Sequence, residues 1–431
     1  MPKLLRRIGQ NTGILLLVNG VGSIFGFFMA AALGRGLGDA GFGQYSFVMT
    51  WLLSLMLFSE FGLSTVLTRD LAAQLEHTPG YLINSLAGKT LLGLPAILLL
   101  LFLAPWISPA QNQDVITALH WGVLFLFSGL VFSSFTAVFK AHQQMLPILW
   151  LTLSGQMVLF AGTLALILAQ QPLFTIIAWA GLSQILQCVL AYSLYKKNIS
   201  TSGAGEKINF EVIKFLIVRA WPFALAGFLA ALQLRANILL LAYLQGDQAL
   251  GWYAAANRFV EMGKQLPGAY YVAILPAMAA LAGAATPDQH QTLQKMFTQS
   301  RLGLLAFGLL AAAGALLLAR PVLTLTYGST YQTATSTLQI LSLSLIPAAQ
   351  NSISIIYLYA NGDEKFVNLL TLLGIVLNLS LCFWLIPSWG PAGTAMALLI
   401  AEVGLYLPYR ARVANRQTQT YHLSPVRLQP S

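Results

Sequence analysis

The stretch "GLGDAGFGQY", residues 36–45, is answered far downstream by "LQGDQALGWY", residues 244–253. Gly38 matches Gly246, Asp39 matches Asp247, Gly43 matches Gly251 and Tyr45 matches Tyr253, each pair 208 residues apart. Each copy follows one long apolar run and opens another. Gly-Asp is turn chemistry, and Asp is a good residue to start a helix. The duplication therefore reports two similar halves, each using the motif to begin its second helix. The bland alternative is two unrelated tight turns.

Working outward, the apolar runs dominate the chain. Of its 431 residues, 57% are hydrophobic and only 8% are charged, against about a quarter charged in soluble proteins. Twelve runs are long enough to cross about 30 Å of hydrocarbon. They lie at 12–33, 41–66, 81–104, 114–139, 145–169, 172–195, 212–243, 248–280, 299–319, 334–360, 364–387 and 391–411. The first follows Lys3, Arg6 and Arg7 as a signal peptide would, but it is long and lacks a small-residue cleavage site, so it reads as an uncleaved helix. The expected fold is an all-α integral membrane protein of about twelve transmembrane helices. Cys188 and Cys382 sit inside apolar runs and the five histidines are scattered, a pattern that supports neither a disulfide framework nor a metal site.

The polar run "KKNISTSGAGEKINFE", residues 196–211, separates six spans from six. It divides the chain into an N-terminal lobe, 1–197, a cytoplasmic linker, 198–211, and a C-terminal lobe with a basic tail, 212–431. Six crossings per half make the repeats parallel, related by an axis along the membrane normal, and put both Gly-Asp motifs on the outer side. With the N-terminus inside, 16 Lys and Arg fall in cytoplasmic segments and only Arg35 and Arg320 fall outside. That bias predicts both termini in the cytoplasm. It also explains the net charge of +10 and the basic tail from Arg410 to Arg427 without nucleic acid as a partner.

Two packing features stand out in the spans. Gly22, Gly26 and Ala30 form a small-residue stripe that would admit a neighbouring helix. Pro222, Pro267 and Pro276 are expected to interrupt spans seven and eight.

Five cations remain inside the spans: Lys89, Arg219, Arg235, Arg258 and Lys264, accompanied by Glu60, Glu261 and Glu402. A cation at mid-membrane costs about 2.5–3.5 kcal/mol even on lenient insertion scales, so such residues usually face a cavity or a partner. Arg235 and Arg258 each lie about ten residues from the second Gly-Asp motif, about 15 Å deep at 1.5 Å per residue, and could meet on adjacent helices. Arg219, Ala226, Ala230, Gln233 and Asn237 share a stripe at 100° per residue, with Arg235 roughly 160° away from Arg219. Arg258 reads equally well as an ion pair with Glu261 three residues on. Lys89 and Lys264 lie near enough to span ends to snorkel. Glu60, Glu261 and Glu402 are structural acids or ion-coupling sites. The excess of positive charge points to an aqueous cavity that selects anions.

Other chemistries find little support. "AGKT", residues 87–90, resembles the end of a phosphate-binding loop, but the required first glycine is Ile83. No paired-carboxylate, nucleophile or metal constellation appears, and the external loops offer mainly Asp39, Asp114 and Asp247, so an enzyme is not expected.

Four stretches together resemble the polysaccharide (O-antigen type) flippases of the multidrug/oligosaccharidyl-lipid/polysaccharide exporter superfamily. They are residues 11–47, "NTGILLLVNGVGSIFGFFMAAALGRGLGDAGFGQYSF"; 251–281, "GWYAAANRFVEMGKQLPGAYYVAILPAMAAL"; 327–347, "YGSTYQTATSTLQILSLSLIP"; and 376–402, "VLNLSLCFWLIPSWGPAGTAMALLIAE". The resemblance implies two six-helix bundles around a central cavity, alternating access, and movement of a polyprenyl-pyrophosphate-linked glycan across a bacterial inner membrane. It also implies membrane lipids, a polysaccharide polymerase and assembly proteins as partners. No cofactor is implied beyond coupling to a proton or sodium gradient. The matching cavity cations are Arg235, in "LQLRANILLL", and Arg258, in "YAAANRFVE". Similar proteins often carry Asp two residues after the first of these, where this chain has Asn237. The rival readings are a peptidoglycan lipid-precursor flippase and a cation-coupled multidrug exporter, the latter expected to have an acidic cavity.

Overall fold

A computed structural model describes residues 2–199, 207–283 and 287–422. Part of the expected linker, residues 200–206, and the end of the basic tail, including Arg427, lie outside the described residues. The described chain is helical, with no strand among the described residues. In chain order the helices are α1 (Pro2–Glu60), α2 (Leu63–Ala73), α3 (Thr78–Phe102), α4 (Ala104–Ile107), α5 (Gln113–Ala141) and α6 (Met145–Leu168). They continue as α7 (Leu173–Asn198), α8 (Phe210–Ala282), α9 (Pro287–Tyr327), α10 (Thr335–Ala360) and α11 (Glu364–His422).

Among the described residues, 9 helices are long and apolar enough to cross a membrane. Three of the long helices are each broken once. The breaks fall at Gly38 (φ 72°, ψ −176°) in α1, Gly246 (φ 79°, ψ −174°) in α8 and Gly390 (φ 52°, ψ −130°) in α11. Counting both arms of each broken helix gives the expected layout of about twelve crossings. The first two breaks share one backbone conformation, reached essentially by glycine alone. The duplicated Gly-Asp is thus a one-residue break between two helices. The prolines behave differently from expectation: in α8 the backbone leaves helical geometry at Gly246, and not at Pro222, Pro267 or Pro276. Proline's fixed φ is compatible with a helix, and its cost is a lost hydrogen bond.

Span two ends earlier than its apolar run, because Phe61 (φ 50°) and Gly62 (φ 71°) stop α1 and α2 sets off separately. Of the stripe Gly22, Gly26 and Ala30, a Cβ on Gly22 would meet nothing within 4 Å, while Ala30 is buried.

The chain forms two compact units, Met1–Gly251 and Trp252–Ser431. The core of the first is built from Leu67, Leu71, Phe135, Phe139, Ile148 and Tyr195. This unit extends past the expected linker to include the first arm of α8, whose Leu216 and Ala220 bury against Leu63 and Val66 of α2. The second unit centres on Met278, Phe297, Ile353, Tyr357 and Tyr409, with the Phe297 and Tyr357 rings 4.9 Å apart. Its α10–α11 turn is pinned by Asp363, which accepts hydrogen bonds from Arg412 Nη2 at 2.8 Å and Arg416 Nε at 2.6 Å.

Candidate functional site

The two glycine breaks in the first unit lead into a close crossing of the two motifs. A Cβ on Gly43 would lie 1.8 Å from the Asp247 carbonyl oxygen, and one on Gly251 would lie 1.9 Å from that of Asp39. Side chains latch the crossing: Gln44 Nε2 donates to Asp247 Oδ2 at 2.9 Å, and Gln248 Nε2 donates to Asp39 Oδ2 at 2.9 Å. Asp39 also accepts from the backbone N–H of Ala40, and Asp247 from Asn112. The aspartates therefore hold the two motifs together. Gln44 and Gln248, which make this possible, carry no signal at sequence level because they do not occupy equivalent positions in the repeat.

The five intramembrane cations have distinct surroundings. Lys89 is 1% exposed, and its Nζ donates to Ser64 Oγ at 2.8 Å and Ser133 Oγ at 2.7 Å, joining α3 to α2 and α5. Glu60, half-buried at the end of α1, and Lys140 are charged groups whose fields reach it. Lys89 does not snorkel, because two hydroxyls satisfy it where it is.

Arg219, half exposed on α8, donates from Nη1 to Asp70 Oδ2 at 2.9 Å, while Arg69 Nε donates to Asp70 Oδ1 at 2.7 Å. Burial pushes the Asp70 carboxyl up, but the hydrogen bonds from Arg69 and Arg219 outweigh it and leave the group below its usual range. The guanidinium of Arg219 lies 4.7 Å from the Phe215 ring centre, and that of Arg69 lies 5.8 Å from the Phe223 ring centre. Of the polar stripe on α8, Arg219 and Gln233 are exposed and Asn237 is buried, while Arg235, which lies off the stripe, is half-buried. The side chains of Ala226 and Ala230 lie outside the described residues.

In the second unit, Arg258 Nη1 donates to Glu261 Oε2 at 2.8 Å, and Asn257 donates to Glu261 Oε1 at 3.0 Å. Both members of the ion pair remain substantially solvent-exposed, at 34% and 47%. Such a pair contributes only about 0.2–0.5 kcal/mol to a helix. Lys264 is exposed, and its field reaches Glu402, whose Oε2 accepts from buried Asn351 Nδ2 at 2.8 Å. Asn351 also donates to the Glu402 backbone carbonyl at 2.8 Å. The structure thus brings Glu402, Asn351 and Lys264 into one electrostatic group, and keeps Lys89 apart among neutral hydroxyls. Among the described residues, no group of three or more His, Cys, Asp and Glu could hold a metal ion.

Comparison with known proteins agrees with this layout. The family model described as "Polysaccharide biosynthesis protein" matches residues 8–282, and the one described as "Lipid II flippase MurJ" matches residues 217–428. A Shigella dysenteriae protein named "Putative O-antigen transporter" is 21% identical over 403 residues, covering 92% of this chain and 98% of its own. Among solved structures, an inward-facing multidrug resistance MATE family transporter of the MOP superfamily aligns with TM-score 0.74 at 13% identity, covering 94% of this chain and 96% of its own. The lipid II flippase MurJ in an inward closed conformation aligns with TM-score 0.71 at 14% identity, covering 97% and 94%. These families are transporters and flippases rather than enzymes. The chain belongs to the polysaccharide biosynthesis protein family, and is a multi-pass membrane transporter of flippase type.

Proposed function

We propose that the protein flips a polyprenyl-pyrophosphate-linked oligosaccharide, the repeat unit of a surface polysaccharide, from the cytoplasmic to the outer leaflet of a bacterial inner membrane. Both termini lie in the cytoplasm, and the cargo crosses by alternating access through a cationic cavity between two six-helix lobes. The observation that carries this reading is the end-to-end likeness to the O-antigen transporter, spread over 92% of the chain. The surplus of intramembrane cations supports it chemically. A pyrophosphate is a concentrated anion, and guanidinium forks satisfy its oxygens two at a time.

In this reading Arg235, Arg258 and Lys264 meet the head group, Arg219 receives it at the cytoplasmic end of α8, and Lys89 serves helix packing. A proton or sodium gradient drives the cycle, with Glu402 the leading coupling acid and Glu60 and Glu261 the others. A polysaccharide polymerase and assembly proteins take the cargo on the outer side. Deleting the gene tests the proposal: the lipid-linked repeat unit should accumulate on the inner leaflet while growth continues. Normal surface polysaccharide in the deletion strain would reject it.

A second reading is favoured by the lipid II flippase match over residues 217–428. Its cargo would share the polyprenyl-pyrophosphate carrier and differ in the sugar. Arrested growth with accumulated peptidoglycan precursor would select it instead.

A further inference from the structure

In the first unit, the end of α1 and the first arm of α8 do not close against each other. They leave a groove of about 280 Å³ lined by Leu57, Phe58, Phe61, Trp221, Leu225 and Phe228, together with Ala224 and Ala231. That volume is close to the lower end of the usual range for ligand pockets, about 300–1,000 Å³. Two ring pairs bridge the helices, Phe58 with Phe228 at 5.1 Å and Phe61 with Trp221 at 5.9 Å. From Trp221 to Ala231 the groove follows α8 for about 15 Å at 1.5 Å per residue. The break at Phe61 and Gly62 shapes it: a Cβ on Gly62 would lie 2.6 Å from Phe223 Cβ, so the backbone of the break rests on α8 beside the groove.

Among the described lining residues none carries a charge, yet one end of the groove is cationic. Arg219 lies two residues before Trp221, and Arg69 stacks near Phe223. Their side chains are 50% and 51% exposed, whereas the single carboxylate they share, on Asp70, is only 10% exposed. Two cations around one anion leave a net positive charge on side chains that are half exposed. An apolar slot capped by such a pair complements an amphipathic molecule with one long hydrocarbon chain and an anionic phosphate head.

We infer that this groove holds the prenyl chain of a polyprenyl-phosphate lipid, with Arg69 and Arg219 receiving its phosphate before the head group moves inward. The flat, methyl-branched units of a prenyl chain pack well on ring faces such as those of Phe58, Phe61, Trp221 and Phe228. This inference rests on the transport reading above and adds to it a place for the tail.

The test is binding of labelled polyprenyl pyrophosphate, without sugar, to the purified full chain in detergent. Unlabelled polyprenyl pyrophosphate should displace it, while tenfold excesses of phosphatidylglycerol or inorganic pyrophosphate should not. Ala224→Trp, which fills the slot, and the Arg69→Gln/Arg219→Gln double variant should each weaken binding at least tenfold. A photoreactive side chain at position 225 should crosslink to the lipid, a readout that does not depend on the Ala224→Trp protein folding. Wild-type binding that survives both variants, with no crosslink at 225, would place the tail elsewhere and leave the transport reading standing. Equal displacement by phosphatidylglycerol would make the groove an ordinary membrane-lipid site and overturn the inference. No wild-type binding at all would sink the transport reading with it.

Discussion

Gly43 lies directly against the carbonyl oxygen of Asp247, and Gly251 lies in the same way against that of Asp39. Added Cβ atoms would sit 1.8 and 1.9 Å from those oxygens, well inside contact distance, and the obstacle is backbone, which cannot rotate away. Gly43→Ala and Gly251→Ala should therefore each force the crossing apart, at a cost of about 1–3 kcal/mol. Gly22→Ala, with open space around it, should be neutral or stabilising by up to about 1 kcal/mol, as is usual for Gly to Ala in a helix. Thermal unfolding of the three purified variants checks this. Gly43→Ala melting like the parent protein would remove the argument.

Lys89 gives a second expectation, because its ammonium is buried among neutral hydroxyls. Replacing a buried charge by an apolar side chain of similar shape is often neutral or stabilising, since the cost of keeping the ion dry disappears. Lys89→Met should melt at or above the parent temperature and retain polysaccharide export. Lys89→Ala also leaves a cavity, and should lose about 2–5 kcal/mol. Loss of export in a well-folded Lys89→Met protein would instead put this lysine in contact with cargo.

Much of the architecture is legible in the sequence because membrane-spanning helices are selected one at a time for length and apolarity. The runs at 145–169 and 334–360 agree closely with α6 and α10. The duplicated Gly-Asp also announces its own break, since its glycine has no substitute at that backbone conformation. The partners of the charges are harder to see. Arg219 finds Asp70 149 residues away, and Lys89 finds Ser133 44 residues away. Serines in an apolar span look alike whether they bond to their own helix, as Ser59 does, or hold a lysine. The end of α1 was hidden for a related reason: apolarity continues through Phe61 and Leu63, and only Gly62 interrupts it.

Asp363 predicts a pH dependence. Hydrogen bonds from Arg416, opposed by burial and reinforced by Arg412, hold its carboxyl at about 2. A lowered carboxylate stabilises the fold fully above its unfolded pKa of about 3.9, and that contribution fades as pH falls toward the folded value. At neutral pH it amounts to about 2–3 kcal/mol. Asp363→Asn should melt below the parent at pH 7, and the gap should shrink between pH 4 and pH 2. A gap that stays constant across that range would mean the arginines do not depend on the charge.

Arg258 separates stability from transport. Its ion pair with Glu261 is exposed and three residues apart on one helix, so removing it should cost no more than about 0.5 kcal/mol. If the guanidinium also grips a pyrophosphate head group, the loss of a charge-assisted, forked contact weighs far more on the cargo than on the fold. Arg258→Gln should keep the parent melting temperature within about 2 °C, by the scaling for large domains, and reduce surface polysaccharide at least tenfold. Arg258→Lys, which restores charge without the fork, should recover export in part, because a point charge still attracts phosphate. Export unchanged in Arg258→Gln, at equal protein level in the membrane, would take this arginine out of the transport path.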